Sequence, residues 1–305
     1  MGMMEQQLWG CKFKNPLIAA SGTFGFGEEY DSFYDISVLG GISTKGMTLE
    51  AREGNKGLRI IETPAGIMNS IGLQNPGVRA YVEHESRFLA RKDLVILANV
   101  GGSTLDSYLE ALSVLEEANK QRRVMDIVEL NISCPNVKAG GMAFGMCAED
   151  AALITKEARA VVKEPLVVKL SPNAHNLVEV ARAVEEAGAD GLSLVNTFNA
   201  LEIDIYGRRA LFDNITAGLS GPCIRPIALR MVREVSQAVG IPVIGMGGVD
   251  TWEDVVKFIM AGAHLVQFGT VSFMNPMAGR QLVEGLESFM KKQGISSLDE
   301  IRGII

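Results

Sequence analysis

The segment NISCPN, residues 131–136, sets a cysteine between two carboxamides and against a proline, directly after an apolar run. Cys134 in that setting can be packing, half of a disulfide, a metal ligand, a nucleophile, or a proton acceptor whose thiol is ionised by its surroundings. Two lysines stand in similar places, Lys45 closing ISTK and Lys169 in VVKLSP. A strand-end lysine is often only solvated or ion-paired. Two of them, with an anion-binding loop, fit a ligand that is negative in more than one place. A reduced flavin is such a ligand, because negative charge develops at its N1/O2 edge and a fixed ammonium stabilises it there. A Schiff base on Lys169 is the competing chemistry, since a desolvated amine becomes nucleophilic.

Glycines supply the anion-binding candidate. Gly247-Gly248 closes IPVIGMGG and Gly269-Thr270 closes HLVQFGT, with GLSG (218–221) upstream. Bare backbone N–H groups at late barrel loops, beside a helix N-terminus, bind phosphate, and glycine permits the close approach. Tight turns also use Gly-Gly. The segment NSIGLQNPG (69–77) is dense in amides. Asn69 and Gln74 or Asn75 each offer a donor and an acceptor in one plane, which suits a ring with alternating C=O and N–H such as a pyrimidine imide. An Asx-type turn accounts for Asn75-Pro76-Gly77 as well, and for Asn69 poorly.

These residues need a scaffold that brings them together. Apolar β-rich runs occur at 16–22, 39–46, 94–102, 126–133, 165–172, 190–197, 241–248 and 264–270. Between them lie amphipathic helical stretches, among them 107–120, 148–163, 176–189 (closed by Gly188), 225–240, 251–263 and 276–292. Continuous apolar strands alternating with helices predict a parallel sheet covered on both faces. The expected architecture is α/β, a (β/α)8 TIM barrel spanning 1–305 as one domain, with inserted active-site loops. QLWGCKFKNP (7–16) reads as a short N-terminal hairpin plugging the floor. A doubly wound sheet would carry GxGxxG after its first strand, and none is present. The strand ends then read Ser21, Thr44-Lys45, Asn99, Asn131 with Cys134, Lys169, Asn196-Thr197, Gly247-Gly248 and Gly269-Thr270. Exposure alone explains serine and threonine there. Two lysines and three asparagines aimed at one mouth indicate a site.

Composition narrows the chemistry. The 305 residues are 47% hydrophobic and 21% charged, and the net charge of -7 disfavours nucleic acid or an anionic membrane surface as partner. No apolar stretch reaches ~18 residues, and the start lacks a signal-peptide pattern. Gln6 occupies the position where a myristoylation signal has Ser or Thr. A soluble, cytoplasmic protein is expected. Cys11, Cys134, Cys147 and Cys223 form no CxxC, and His84, His175 and His264 do not pair with them at ligand spacing. Disulfide and metal roles for Cys134 therefore recede, and no metal is expected. Packing, nucleophile and proton acceptor stay open for Cys134, and packing is the expectation for the other three.

NISCPN, STKG (43–46), NSIGLQNPG, VVKLSP, AGLSG and GTVSF together resemble the class 1 dihydroorotate dehydrogenases, FMN-dependent barrel enzymes of pyrimidine (UMP) biosynthesis. The resemblance runs from ASGTFGFG (20–27) to the last helix. It implies that Cys134 is the base that deprotonates dihydroorotate on the way to orotate while a hydride passes to the flavin. Substrate contacts would come from Lys45, Asn69, Ser70, Ile71, Gly72, Leu73, Asn131, Asn196 and Thr197. FMN would be held by Ser21, Lys45, Gly46, Asn99, Asn131, Lys169, Val195, Gly221, Gly247, Gly248, Gly269 and Thr270. No histidine lies in a matched motif, so Cys–His activation is missing, which turns Cys134 from nucleophile to proton acceptor.

The FGFG and NSIGLQNPG segments look like the class 1B branch. There the FMN chain, a homodimer core within a heterotetramer, pairs with an electron-transfer subunit carrying FAD and an iron–sulfur cluster, and NAD is the final acceptor. The quinone-using relatives carry serine as base and an apolar N-terminal extension, neither of which is present. A fumarate-using branch shares the cysteine. A dihydropyrimidine dehydrogenase-like enzyme looks as if it carries histidine where this chain has Asn136. Ala217 stands where another glycine is expected, implying a stiffer phosphate loop. VKAGGMAFGMC (137–147) reads as a lid bordering the site.

Overall fold

A computed structural model of the chain describes residues 2–133 and 144–305. Eight short strands close into a barrel: β1 (Leu17–Ala19), β2 (Gly41–Ser43), β3 (Val95–Val100), β4 (Ile127–Asn131), β5 (Leu166–Lys169), β6 (Gly191–Leu194), β7 (Val243–Met246) and β8 (Leu265–Phe268). Every neighbouring pair is parallel, and β8 returns to β1. These are the eight apolar runs of the sequence, and the expected (β/α)8 architecture is borne out. Both faces of each strand are covered because the pleat sends alternate side chains to opposite sides. In β4, Val128 and Leu130 join the core under the helices, while Ile127 joins the cluster inside the barrel.

The inside is layered. Its floor is apolar, built from Ile18, Val95, Leu97, Ile127, Val167, Ile244 and Leu265 around the fully buried ring of Phe13. Phe13 arrives on the predicted hairpin, where Gln6–Leu8 pairs antiparallel with Cys11–Phe13. Trp9 and Gly10 make the turn with φ of 55° and 77°, the positive values that a two-residue hairpin needs. The Trp9 indole N–H donates to the carbonyl of Asp190 at 2.7 Å, tying the plug to the rim of β6. Above this floor the inward side chains turn polar.

The predicted helices form at 105–121, 148–161, 177–186, 225–236, 252–260 and 278–293. The first starts earlier than its apolar pattern because Thr104 and Ser107 form a capping box. Several of the others end earlier than their patterns. Their last apolar residues belong to loops that drop into the next strand through glycines such as Gly188 (φ 100°) and Gly262 (φ 109°). Among the described residues no helix is long and apolar enough to cross a membrane.

Two features lie outside the sequence reading. A helical segment runs from Val78 to Leu89 with a π turn at Tyr81–Glu85. A four-stranded antiparallel sheet also stands on the barrel mouth, ordered Phe198–Leu201, Thr216–Ser220, Gly66–Asn69, Ile60–Thr63. This corrects three expectations. Asn69 ends a strand rather than opening a loop, and GLSG is largely strand, paired Gly218 to Asn69. Ala217 stiffens no loop; it is buried against Met68 and Phe212 in that sheet. Glycine weakens the local strand signal, and the pairing partners are far apart in sequence, so pattern alone hides this sheet. Ile203, Ile205, Tyr206 and Ile215, on and beside the ribbon that extends it, are exposed.

His264, at the entry to β8, gives the fold an acid limit. Its Nδ1 accepts from the Val243 N–H at 3.4 Å, and burial, aided by the Arg302 charge, pushes the imidazole down to about 4. Its unfolded value is near 6.5, so the unfolded chain binds the proton first. The stabilisation is complete above roughly pH 6.5 and is lost as pH falls toward 4. His264→Gln is expected to remove on the order of 2 kcal/mol of acid sensitivity between pH 7 and pH 4.5, read as a flatter urea midpoint against pH.

Candidate active site

The C-terminal strand ends and the inserted sheet enclose one cavity of about 430 Å³, a size that takes a small-molecule ligand. Ser21 comes from the end of β1, Lys45 and Gly46 from β2, Asn131 from β4 and Lys169 from β5. Val195, Asn196 and Thr197 follow β6, Gly247 and Gly248 follow β7, and Gly269 and Thr270 follow β8. Asn69, Ile71, Gly72 and Leu73 descend from the inserted sheet, whose Ile60 and Ile67 also line the cavity. Residues more than two hundred positions apart in the chain thus face one space.

Among the described residues expected to contact substrate or FMN, three do not line the cavity. The Ser70 hydroxyl is buried and accepts from the Asn55 and Asn214 side chains, so it braces the loop. Asn99 lies one layer deeper. Gly221 (φ 105°) packs its Cα region against Gly66 and Thr270, behind the wall. Cys134, Asn136 and the first part of the expected lid lie outside the described residues. Gln74 lines the cavity while its Oε1 accepts from Arg59. The turn reading holds for Asn75: its Oδ1 accepts from the Gly77 and Thr48 N–H groups and its Nδ2 donates to Leu73 O.

The lysines decide the electrostatics. Lys169 is 4% exposed, lines the cavity, and has no hydrogen bond or ion pair among the described residues. Lys45 is likewise unpaired among them, and burial pushes its ammonium below the usual lysine range. A cation held largely out of water without a hydrogen-bonding partner is costly, so both mark a place for an anionic or strongly accepting ligand.

Below them sits a residue that the sequence reading passed over. Glu129 is fully buried inside the barrel and accepts from Asn99 Nδ2 (2.6 Å), Gln267 Nε2 (2.7 Å), Ser193 Oγ (2.8 Å) and the Ser43 hydroxyl. Burial opposes its ionisation, but the Lys169 charge and these donors prevail and hold the carboxyl below the usual range. The signal was present in DIVELNIS and HLVQFG: an acid and an amide inside strands buried on both faces have no solvent to meet.

Asparagine orientation follows from partners. Asn131 Oδ1 accepts from the Ser133 hydroxyl at 2.7 Å, which leaves its NH2 to donate into the cavity. Asn69 Nδ2 donates to Gly218 O at 3.2 Å, which leaves its oxygen to accept. Asn196 is already engaged, accepting from Thr197 N–H and donating to the Ser133 hydroxyl. The mouth therefore offers a donor, an acceptor and two cations to a polar ring.

At the other end, Gly247 (φ 120°) and Gly248 (φ 79°) bring backbone against the start of the helix at 225–236. A Cβ on Gly248 would lie 2.7 Å from Gly221 O and 2.8 Å from Arg225 Cβ. Thr270 Oγ1 donates to Ser220 Oγ at 2.9 Å across the same corner. Gly248→Ala is expected to cost about 1–3 kcal/mol, measured by urea unfolding, because both φ and space forbid the methyl.

The other three cysteines are not alike. Cys11 packs beside the floor cluster, and burial pushes its thiol up to about 11. Cys147 is half-buried with its thiol 3.2 Å from the Asp150 carboxylate. Cys223 is exposed, so packing does not explain it. Among the described residues no group of three or more His, Cys, Asp and Glu could hold a metal ion.

Comparison with known proteins adds to this geometry. The family described as dihydroorotate dehydrogenase matches residues 3–290. A protein of Petrotoga mobilis is 58% identical over 296 residues, 97% of either chain. One from Bacillus pumilus is 48% identical over 301 residues, covering 99% of this chain and 96% of that protein. One from Caldicellulosiruptor saccharolyticus is 46% identical over 302 residues, 99% of each. All three carry the name dihydroorotate dehydrogenase B (NAD(+)), catalytic subunit.

Proposed function

The chain belongs to the dihydroorotate dehydrogenase family, and from that premise we propose that it oxidises dihydroorotate to orotate in the barrel mouth, with FMN bound beside the substrate. The observation that carries this reading is a buried and a half-buried lysine, Lys169 and Lys45, on one cavity without a hydrogen bond or ion pair among the described residues, together with two buried amide oxygens, Asn99 Oδ1 and Gln267 Oε1, that have no partner among them. Those groups fit a flat, polar, partly anionic ring. The glycine corner of Gly247, Gly248, Gly269 and Thr270 fits its phosphate. FMN supplies the hydride acceptor when bound.

The chain's own residues do the rest. In this proposal Cys134, as thiolate, takes the proton from one ring carbon as the adjacent carbon gives up hydride and the bond between them becomes double. Ser133, which precedes it in the chain, is buried and hydrogen-bonded to Asn131 and Asn196. Lys45 would meet the substrate carboxylate, and the Asn131 NH2 and Asn69 oxygen would read the ring's C=O and N–H groups. Lys169 would stabilise charge at the flavin's pyrimidine edge.

The relatives' names, NAD(+) and catalytic subunit, support electron delivery to NAD through a partner subunit. FAD and an iron–sulfur cluster on that partner, and a dimer of FMN chains as the core, complete the proposal. A covering chain would also account for the apolar side chains left open at Ile203, Ile205 and Tyr206.

Anaerobic titration of the purified chain with L-dihydroorotate tests the reading. Stoichiometric bleaching of a bound flavin's visible absorption is expected. A chain that binds no FMN, or borohydride trapping of substrate on Lys169, would overturn it. Lys45→Ala is expected to raise the dihydroorotate concentration for half-bleaching by tenfold or more, since a charge-assisted contact is worth about 1.5–3 kcal/mol.

A further inference from the structure

Glu129 touches no wall of the cavity, yet four barrel strands send it hydrogen bonds: β2 through Ser43, β3 through Asn99, β6 through Ser193 and β8 through Gln267. A carboxylate only accepts. Both amides must therefore present their NH2 groups to it, and their oxygens must turn away. Gln267 lines the cavity floor, and its Oε1 is buried without a partner among the described residues. Asn99 Oδ1 is equally unpartnered among them and lies 2.9 Å from where a Cβ on Gly46, a cavity residue, would stand. Two buried acceptors left open, one on the floor and one beneath its Gly46, are an unmet demand for donors.

We infer that Glu129 is a positioning residue for the bound ring: it locks the Asn99 and Gln267 amides with their oxygens turned away from it, that of Gln267 on the cavity floor and that of Asn99 beneath Gly46, so that the floor accepts N–H groups and rejects carbonyls. This rests on the flavin reading above. The oxidised flavin ring has one N–H, set between two carbonyls, and reduction adds another. A floor of fixed acceptors therefore sets the ring's register and favours its reduced, protonated form. A glutamine at 129 can donate as well as accept, so either amide can then rotate by half a turn and offer its NH2 to the cavity instead.

The test compares the full-length chain with Glu129→Gln and Gln267→Met. FMN affinity is read by quenching of flavin fluorescence, and the midpoint potential of the bound flavin by equilibration with reference dyes. Lumiflavin, which lacks the phosphate, serves as a second probe. Glu129→Gln is expected to bind FMN and lumiflavin about tenfold more weakly and to hold a flavin that is harder to reduce. Gln267→Met keeps the carboxylate and its three other donors but removes one acceptor. It is expected to show the same direction with a melting temperature close to wild type, and it decides the matter if Glu129→Gln does not fold.

Variants that melt lower yet keep wild-type affinity and potential would make Glu129 a structural strut and overturn the inference. Wild-type chain that binds neither FMN nor lumiflavin would instead overturn the flavin reading beneath it.

Discussion

Replacing Cys134 by serine is expected to slow reduction of the bound flavin by dihydroorotate by roughly 10²–10⁴-fold, the span that a positioned general base contributes. A serine hydroxyl is nearly isosteric with the thiol and keeps a donor and an acceptor, so binding should change little. What changes is acidity. A thiol begins near 8.5 and can be lowered by a neighbouring cation, whereas an alcohol stays protonated throughout the working range. Stopped-flow absorbance under anaerobic conditions reads the step directly. The pH profile separates mechanism from damage. Wild-type reduction should rise with pH and level off once the thiolate is formed, while the serine variant should keep rising across the same range. A serine variant that reduces flavin at the wild-type rate would remove Cys134 from the chemistry.

Lys169→Met should have the largest effect on both binding and stability. The side chain is almost fully buried, and its charge is the leading favourable influence on the Glu129 carboxylate. Methionine fills the volume but leaves that carboxylate without this compensating cation, and leaving a buried charge uncompensated costs up to about 3–5 kcal/mol. The cavity also loses the ammonium that would stabilise the reduced ring. Urea unfolding should therefore show a large drop, and FMN affinity should fall by more than tenfold. The double variant Lys169→Met/Glu129→Gln separates the two effects. It should recover most of the stability, because no buried charge remains, and none of the flavin affinity. Additive losses would mean that Lys169 and Glu129 act independently.

Much of this site was legible in the linear chain. Lys45, Lys169, Asn131 and the glycine pairs stand out because polar or bare residues interrupt apolar runs at the same end of each run, and the barrel puts those ends at one mouth. The hairpin plug was readable from its short alternating run and its turn at Trp9-Gly10. Asn69 was found for its chemistry but misplaced, since its strand depends on pairing with Gly218. Ser70 was placed at the substrate by likeness of motif, whereas its hydroxyl is engaged with Asn55 and Asn214. Whether a side chain faces a cavity or a brace depends on its neighbours in space.

The sequence by itself determined the barrel strands, their polar ends and the family, because side-chain period, turn chemistry and motif spacing are local properties. Only the tertiary structure decided the polar layer. Glu129 meets Asn99, Ser193, Ser43 and Gln267 across separations of 30, 64, 86 and 138 residues. No local pattern encodes those contacts. Closure of the sheet creates them, since only a barrel turns the inner faces of four separate strands toward one carboxylate and leaves the oxygens of its amide partners turned away from it.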